Sequence, residues 1–117
     1  MHNYKELNVW QKSRVLVKEL YELMSNVSSQ EQYGIVAQIK RAVISIPSNI
    51  AEGAGRNSKK DFSRFLDISL GSAFELETQI IFLLDLDLIS KLEFDRMNEK
   101  ILEVQRMLFG LKNSLQK

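Results

Sequence analysis

The sequence predicts an all-α fold, an up-down-up-down antiparallel four-helix bundle, and three observations carry that prediction. Apolar residues recur at alternating spacings of three and four in four separate stretches, the signature of amphipathic helices. Serine-led capping sequences precede three of those stretches, at Ser28, Ser58 and Ser90. The connections between them are short, about 4 to 6 residues, which forces sequential helices to run antiparallel. No stretch alternates with period two, so strands are not expected. All 117 residues are expected to form one domain, since no repeat, linker or low-complexity segment divides them.

Helix 1, roughly 8–26, carries the stripe Trp10, Ser13, Val17, Leu20, Met24. Helix 2, roughly 30–53, carries Val36, Ile39, Val43, Ile46, Ile50, and "SSQE" from Ser28 offers it a capping box. Helix 3, roughly 59–86, carries Phe62, Leu66, Ser69, Ala73, Leu76, Ile80, Leu83 behind the weaker cap "SKKD" from Ser58. Helix 4, roughly 91–114, has the most regular stripe, Phe94, Met97, Ile101, Val104, Leu108, Leu111, behind "SKLE", Ser90 to Glu93. Helix 3 also bears a second apolar set, Phe65, Ile68, Phe74, Ile81, Phe82 and Leu84. A helix that is apolar around most of its circumference is buried on most sides, so the set reads as a subunit interface. A wide core stripe with a few exposed aromatics is the plainer alternative.

Between helices 2 and 3 lies "SIPSNIAEGAGRNSKKDF", residues 45–62, with the only proline, Pro47. Val43, Ile46 and Ile50 keep their register across it, so Pro47 is expected to kink helix 2 without ending it, removing one amide donor opposite the Val43 carbonyl. Ser45, Ser48 and Asn49 stand within a turn and suit carbonyls the kink leaves unpaired. Gly53 suits a left-handed C-terminal cap, Gly55 gives the turn a second flexible point, and Glu52 and Arg56 are spaced for a pair. "GAG" is not a dinucleotide fingerprint, because helix rather than strand precedes it and Ser58 stands where the third glycine belongs. Lys59 and Lys60 in the first turn of helix 3 nevertheless make that helix start an anion-accepting corner.

Composition narrows the chemistry further. With no cysteine, disulfides, thiolate metal sites and cysteine nucleophiles are excluded. The one histidine, His2, reads as a solvated residue near the terminus, and a di-iron bundle needs histidines on its helices, so no metal site is expected. Glu75 and Glu77, two apart, point to different faces, and the serines have no base partner. The reading is therefore non-enzymatic, with no cofactor and no small-molecule substrate. Neither a signal-peptide core nor an apolar stretch long enough for a bilayer is present, so no membrane association and a cytoplasmic location are expected.

Residues 38–79, "QIKRAVISIPSNIAEGAGRNSKKDFSRFLDISLGSAFELETQ", resemble the four-helix-bundle family of 23S rRNA intervening-sequence proteins. The matching positions include Ser45, Pro47, Asn49, Glu52, Gly53, Gly55, Phe65, Gly71, Ser72, Glu75 and Gln79, and "LNVWQKS" and "EQYGIVAQI" look like the family as well. Lys40 and Ser69 depart mildly from its pattern, where arginine and alanine are usual. The resemblance implies a bacterial protein forming a ring-like homopentamer, encoded within insertions in large-subunit ribosomal RNA genes. Related bundles serve diversity-generating retroelements as reverse-transcriptase accessory proteins on a basic pentameric barrel.

The net charge of +1 exerts no global pull on nucleic acid, but the charges divide along the bundle. Residues 1–13, 45–70 and 106–117, which antiparallel packing puts at one end, hold nine basic and four acidic residues, net +5, and the remainder is net −4. Arg56, Lys59, Lys60, Arg64, Lys112 and Lys117 would form a basic rim able to bind RNA or another nucleic acid through its phosphates. Two classes of function stay open: a nucleic-acid-associated homo-oligomer acting through this rim, and a protein-interaction scaffold acting through apolar helix 3 and the ring surfaces.

Overall fold

A computed structural model describes residues 3–116, so His2 lies outside the described residues. Four helices form: α1 (Asn8–Met24), α2 (Ile35–Ala54), α3 (Lys59–Asp85) and α4 (Lys91–Ser114). Single 3-10 turns precede α1 and α2, and no strand occurs among the described residues. The 27 residues of α3 rise about 40 Å at helical pitch, which sets the 44 Å long axis of the molecule. None of these helices is long and apolar enough to cross a membrane.

Contacts between helices run in opposite order along the chain, as antiparallel packing in a bundle requires. Ile46 meets Ser69 and Ser45 meets Ser72 between α2 and α3. Asp67 meets Lys112 and Glu77 meets Gln105 between α3 and α4. Lys12 meets Glu103 and Glu19 meets Lys100 between α1 and α4. The core between them is filled by the predicted stripes of α2, α3 and α4, with Ile39, Ile46, Ile50, Leu66, Leu76, Ile80, Leu83, Ile101 and Leu108 all fully buried. Burying each such side chain contributes about 1.5–3 kcal/mol. Ser69, in the apolar stripe of α3, is also fully enclosed because its hydroxyl donates to the Ile46 carbonyl at 2.9 Å.

Three local expectations are corrected. The buried face of α1 is Val9, Ser13, Leu16, Leu20 and Met24, turned from the expected stripe, while Trp10 and Val17 are only half-buried on the flank facing α2. Helix α2 begins at Ile35, not near residue 30: Ser28 makes no capping bond, and Ser29–Glu31 closes as a 3-10 turn. Gly34, at φ −103° and ψ −111°, lies outside the helical basin, and the Gln32 amide donates to the carbonyls of Met24 and Val27 at 3.1 and 3.0 Å, holding this turn against the end of α1. Gly53 is not a left-handed cap. No glycine here has positive φ; α2 continues to Ala54, and Gly55 closes it at φ −82°.

The starts of α3 and α4 follow cap chemistry. Ser58 accepts from the Asp61 amide at 3.1 Å, and Ser90 and Glu93 form the reciprocal box, with the Glu93 amide donating to Ser90 at 3.1 Å and the Ser90 amide to Glu93 at 2.8 Å. Between α3 and α4 the chain closes in a Schellman arrangement: the Leu88 amide donates to the Leu83 carbonyl and the Asp87 amide to Leu84. Asp87 takes the left-handed position at φ 57°, a role aspartate fills at less cost than most non-glycine residues.

Helix α2 runs through Pro47 without a break. The polar neighbours of Pro47 serve α3 and the backbone next to it, not the Val43 carbonyl. Ser45 shares a hydrogen bond with Ser72 at 2.8 Å, and the Asn49 amide donates to the Ser45 carbonyl and hydroxyl, both at 2.9 Å. Pro47→Ala should restore an amide donor inside the helix and straighten any bend there. Proline in a helix interior costs about 3 kcal/mol, offset by about 1 kcal/mol of reduced unfolded-state entropy and by lost ring contacts. The expected net is a gain of about 1 kcal/mol in denaturant-measured stability, and a loss would show that the ring packing outweighs the amide.

Candidate nucleic-acid interface

The end of α2 and the start of α3 bring the basic residues together, because the turn at residues 55–58 is short and Ser58 caps α3 immediately after it. Lys59, Lys60, Ser63 and Arg64 line a depression of about 390 Å³, closed on its far side by Leu115 and Gln116 beyond α4 and carrying Asp67 in its wall. The positive dipole end of α3 adds to the same corner. Lys60, Arg64 and Asp67 share one face through their spacing of four and three.

The cations differ in how firmly they are held. Lys60 has no ion-pair partner among the described residues. Arg64 Nε is 3.9 Å from Asp61, and both side chains are more than half exposed, so that pair is weak and screened by salt. Arg56 pairs with Glu52 at 2.7 Å, and Lys112 is paired with Asp67 across to α3. Lys117 lies outside the described residues. Among the described residues, four cations, Lys59, Lys60, Arg64 and Lys112, share the corner with two carboxylates, Asp61 and Asp67.

Phe65 sits beneath this corner. Its ring lies under the guanidinium groups of Arg56 and Arg64, whose central carbons are 4.8 and 4.6 Å from the ring centroid. Only 8% of Phe65 is exposed, because its Cβ packs against the bare backbone of Gly53. The aromatic ring therefore anchors the two arginines; such contacts contribute about 0.5–1 kcal/mol at exposed sites.

The sequence model of the 23S rRNA-intervening sequence proteins matches residues 5–110. The chain belongs to that family. A crystal structure of a protein of unknown function from the S23 ribosomal protein family, from Bacteroides thetaiotaomicron VPI-5482, superposes with a TM-score of 0.81 at 26% identity, covering 89% of this chain and 97% of that one. No curated protein matches.

On this intervening-sequence protein the second apolar set of α3 divides. Phe65 belongs to the interior of the subunit, as its contacts require. Ile68, Phe74, Ile81 and Phe82 are 39–48% exposed, and Phe109 of α4 joins Phe74 at a ring separation of 6.4 Å. Phe74 and Ile81 are seven apart and fall on one line of the helix; Ile68 and Phe82, fourteen apart, fall on another. Of the residues in the passage around Pro47, Ser45, Asn49 and Gly53 serve the contact between α2 and α3, and Glu52 holds Arg56. Sequence reasoning overlooked Ser63 and Asp67, although their spacing from Lys60 places them beside it. It also gave no sign that Trp10, Tyr4 and Arg14 gather on the flank of Pro47, since that cluster is assembled from two helices. No group of three or more potential metal ligands occurs among the described residues.

Proposed function

We propose that this protein is a non-enzymatic, cytoplasmic homo-oligomer that associates with RNA through the basic end of each bundle, without metal or cofactor. The observation that carries the reading is the depression lined by Lys59, Lys60, Ser63 and Arg64 at the dipole-positive start of α3. Phosphate groups suit such a corner because the lysines supply charge and the arginine and serine supply directed donors. A modest surplus per subunit multiplies in an oligomer, and a homopentamer is the assembly the family resemblance implies. The four exposed apolar residues of α3 support self-association, since burying them against a second copy removes them from water.

The same exposed residues favour a second reading, a protein-interaction scaffold of the reverse-transcriptase accessory type, in which α3 meets a different protein. Two measurements separate the readings. Light scattering at micromolar concentration should give a mass several times the 13.5 kDa of one chain, and a strict monomer would remove the oligomer. Titration with single-stranded RNA should show affinity falling with salt at a log–log slope of about −0.7 per phosphate neutralised, with little sequence preference. Salt-independent binding, or none, would leave the scaffold reading in front.

A further inference from the structure

The flank of the bundle between α1 and α2 holds a shallow bowl of about 360 Å³ at Pro47. Its walls are Tyr4 and Trp10, the aliphatic Val17, Ile44, Pro47 and Ala51, and Ser48, with Arg14 at the margin. Tyr4 and Trp10 meet edge to face, centroids 5.2 Å apart and planes at 66°, which fixes both rings. The Arg14 guanidinium carbon lies 5.7 Å from the Trp10 ring centroid and Lys5 Nζ 6.0 Å from that of Tyr4. No acidic residue lines the bowl. Tyr4 and Trp10 pack against the edge of the core and are only half-buried, so part of each ring stays open to the bowl.

We infer that this bowl receives an unpaired base of single-stranded nucleic acid, seated against the Trp10 and Tyr4 rings, with Arg14 placed for the adjoining phosphate. Size and charge select this occupant. The space suits one planar ring system and is too small for a helix; two aromatic rings beside the apolar Val17, Ile44, Pro47 and Ala51, with Arg14 at the margin and no carboxylate, match a base with its phosphate. The bowl also sits toward the basic end: Ala51 precedes Arg56 by five residues, about 8 Å along the chain direction of α2. One strand can thus be held by bases at the bowl and by phosphates at the Lys59, Lys60 and Arg64 corner. The inference rests on the nucleic-acid reading above, but concerns a different surface, whose base contact is salt-insensitive while Arg14 adds to the phosphate contacts.

Trp10 is the only tryptophan, so its emission reports the bowl directly. Wild-type protein is titrated with a fluorescently labelled single-stranded oligonucleotide and with an abasic oligomer of equal length, following label anisotropy for binding and tryptophan emission for stacking. The expected result is anisotropy rising with both ligands, and Trp10 emission quenched by the base-containing strand much more than by the abasic one. Trp10→Leu, which keeps an apolar group on α1, should weaken base-containing RNA by about tenfold and leave abasic affinity and the salt slope unchanged. Should that variant fail to fold, the wild-type comparison still decides. Rising anisotropy with no quenching, or equal quenching by both strands, overturns the bowl and leaves the basic corner standing. No change in either signal overturns both readings. Emission that shifts on dilution of the protein alone shows a second copy in the bowl and overturns the inference.

Discussion

Gly53→Ala should destabilise the subunit by about 2 kcal/mol, against the usual direction for a glycine in a helix interior. Alanine ordinarily gains about 1 kcal/mol there, through better helix propensity. At position 53 the added Cβ would lie 2.7 Å from Phe65 Cβ and 2.9 Å from Phe62 Cδ1, with the Phe62 carbonyl oxygen at 3.3 Å. Phe65 Cβ is fixed to the α3 backbone and cannot swing away, so α2 and α3 must move apart. That separation loosens the hydrogen bonds of Ser69 to Ile46 and of Ser45 to Ser72 and disturbs the ring under Arg56 and Arg64. Gly71 is the control: it lies on the exposed face of α3 with no atom within 4 Å of an added Cβ, and Gly71→Ala should stabilise by about 0.5–1 kcal/mol. Urea unfolding of the two variants checks both signs. A neutral Gly53→Ala would mean that α2 and α3 are packed less closely than the contact distances state.

Changing Lys59, Lys60 and Arg64 together to glutamine should lower RNA affinity by an order of magnitude or more at low salt, with a smaller loss at high salt. Each phosphate neutralised on a single strand contributes about 0.7 to the salt slope. Three such contacts make the wild-type affinity fall by about 20-fold between 50 and 200 mM salt, and the variant should lose most of that dependence. The fold should hold, since all three side chains are exposed and lie off the buried stripe. A structural cost is the Arg64 contact with the Phe65 ring, about 0.5–1 kcal/mol. Lys112→Gln is predicted to do less than any of the three, because its charge is already paired with Asp67. Equal, weak binding by wild type and triple variant would take the basic corner out of the function, with circular dichroism excluding unfolding as the cause.

Much of the candidate corner was readable before folding, because its parts are close in the chain. Arg56, Lys59, Lys60 and Arg64 fall within nine residues, and the helix start that gathers them is announced by Ser58. What could not be read was how each charge is spent. Lys112 and Asp67 are 45 positions apart, so their pairing depends on how α4 lies against α3. Phe65 reads equally well as interface or as core from its spacing, and only the bare backbone of Gly53 on the facing helix draws it inside. Gly53 itself reads as a chain terminator by local convention, yet α2 runs past it, because here the missing side chain serves approach between helices and not a left-handed turn.

Helix number and the starts of α3 and α4 are local properties: periodic apolar spacing and serine caps act within three or four residues, so they survive without knowledge of the rest of the chain. The start of α2 escaped that logic because Gln32 reaches back to the end of α1 and Gly34 leaves the helical basin, outweighing the capping signal at Ser28. The buried face of α1, the anchoring of Arg56 and Arg64 on Phe65, and the aromatic bowl at Pro47 belong to the tertiary structure alone. Each is set by side chains on two helices meeting at a distance of a few ångströms, and the energy of such a meeting depends on shape across the interface, which no periodicity within one helix records.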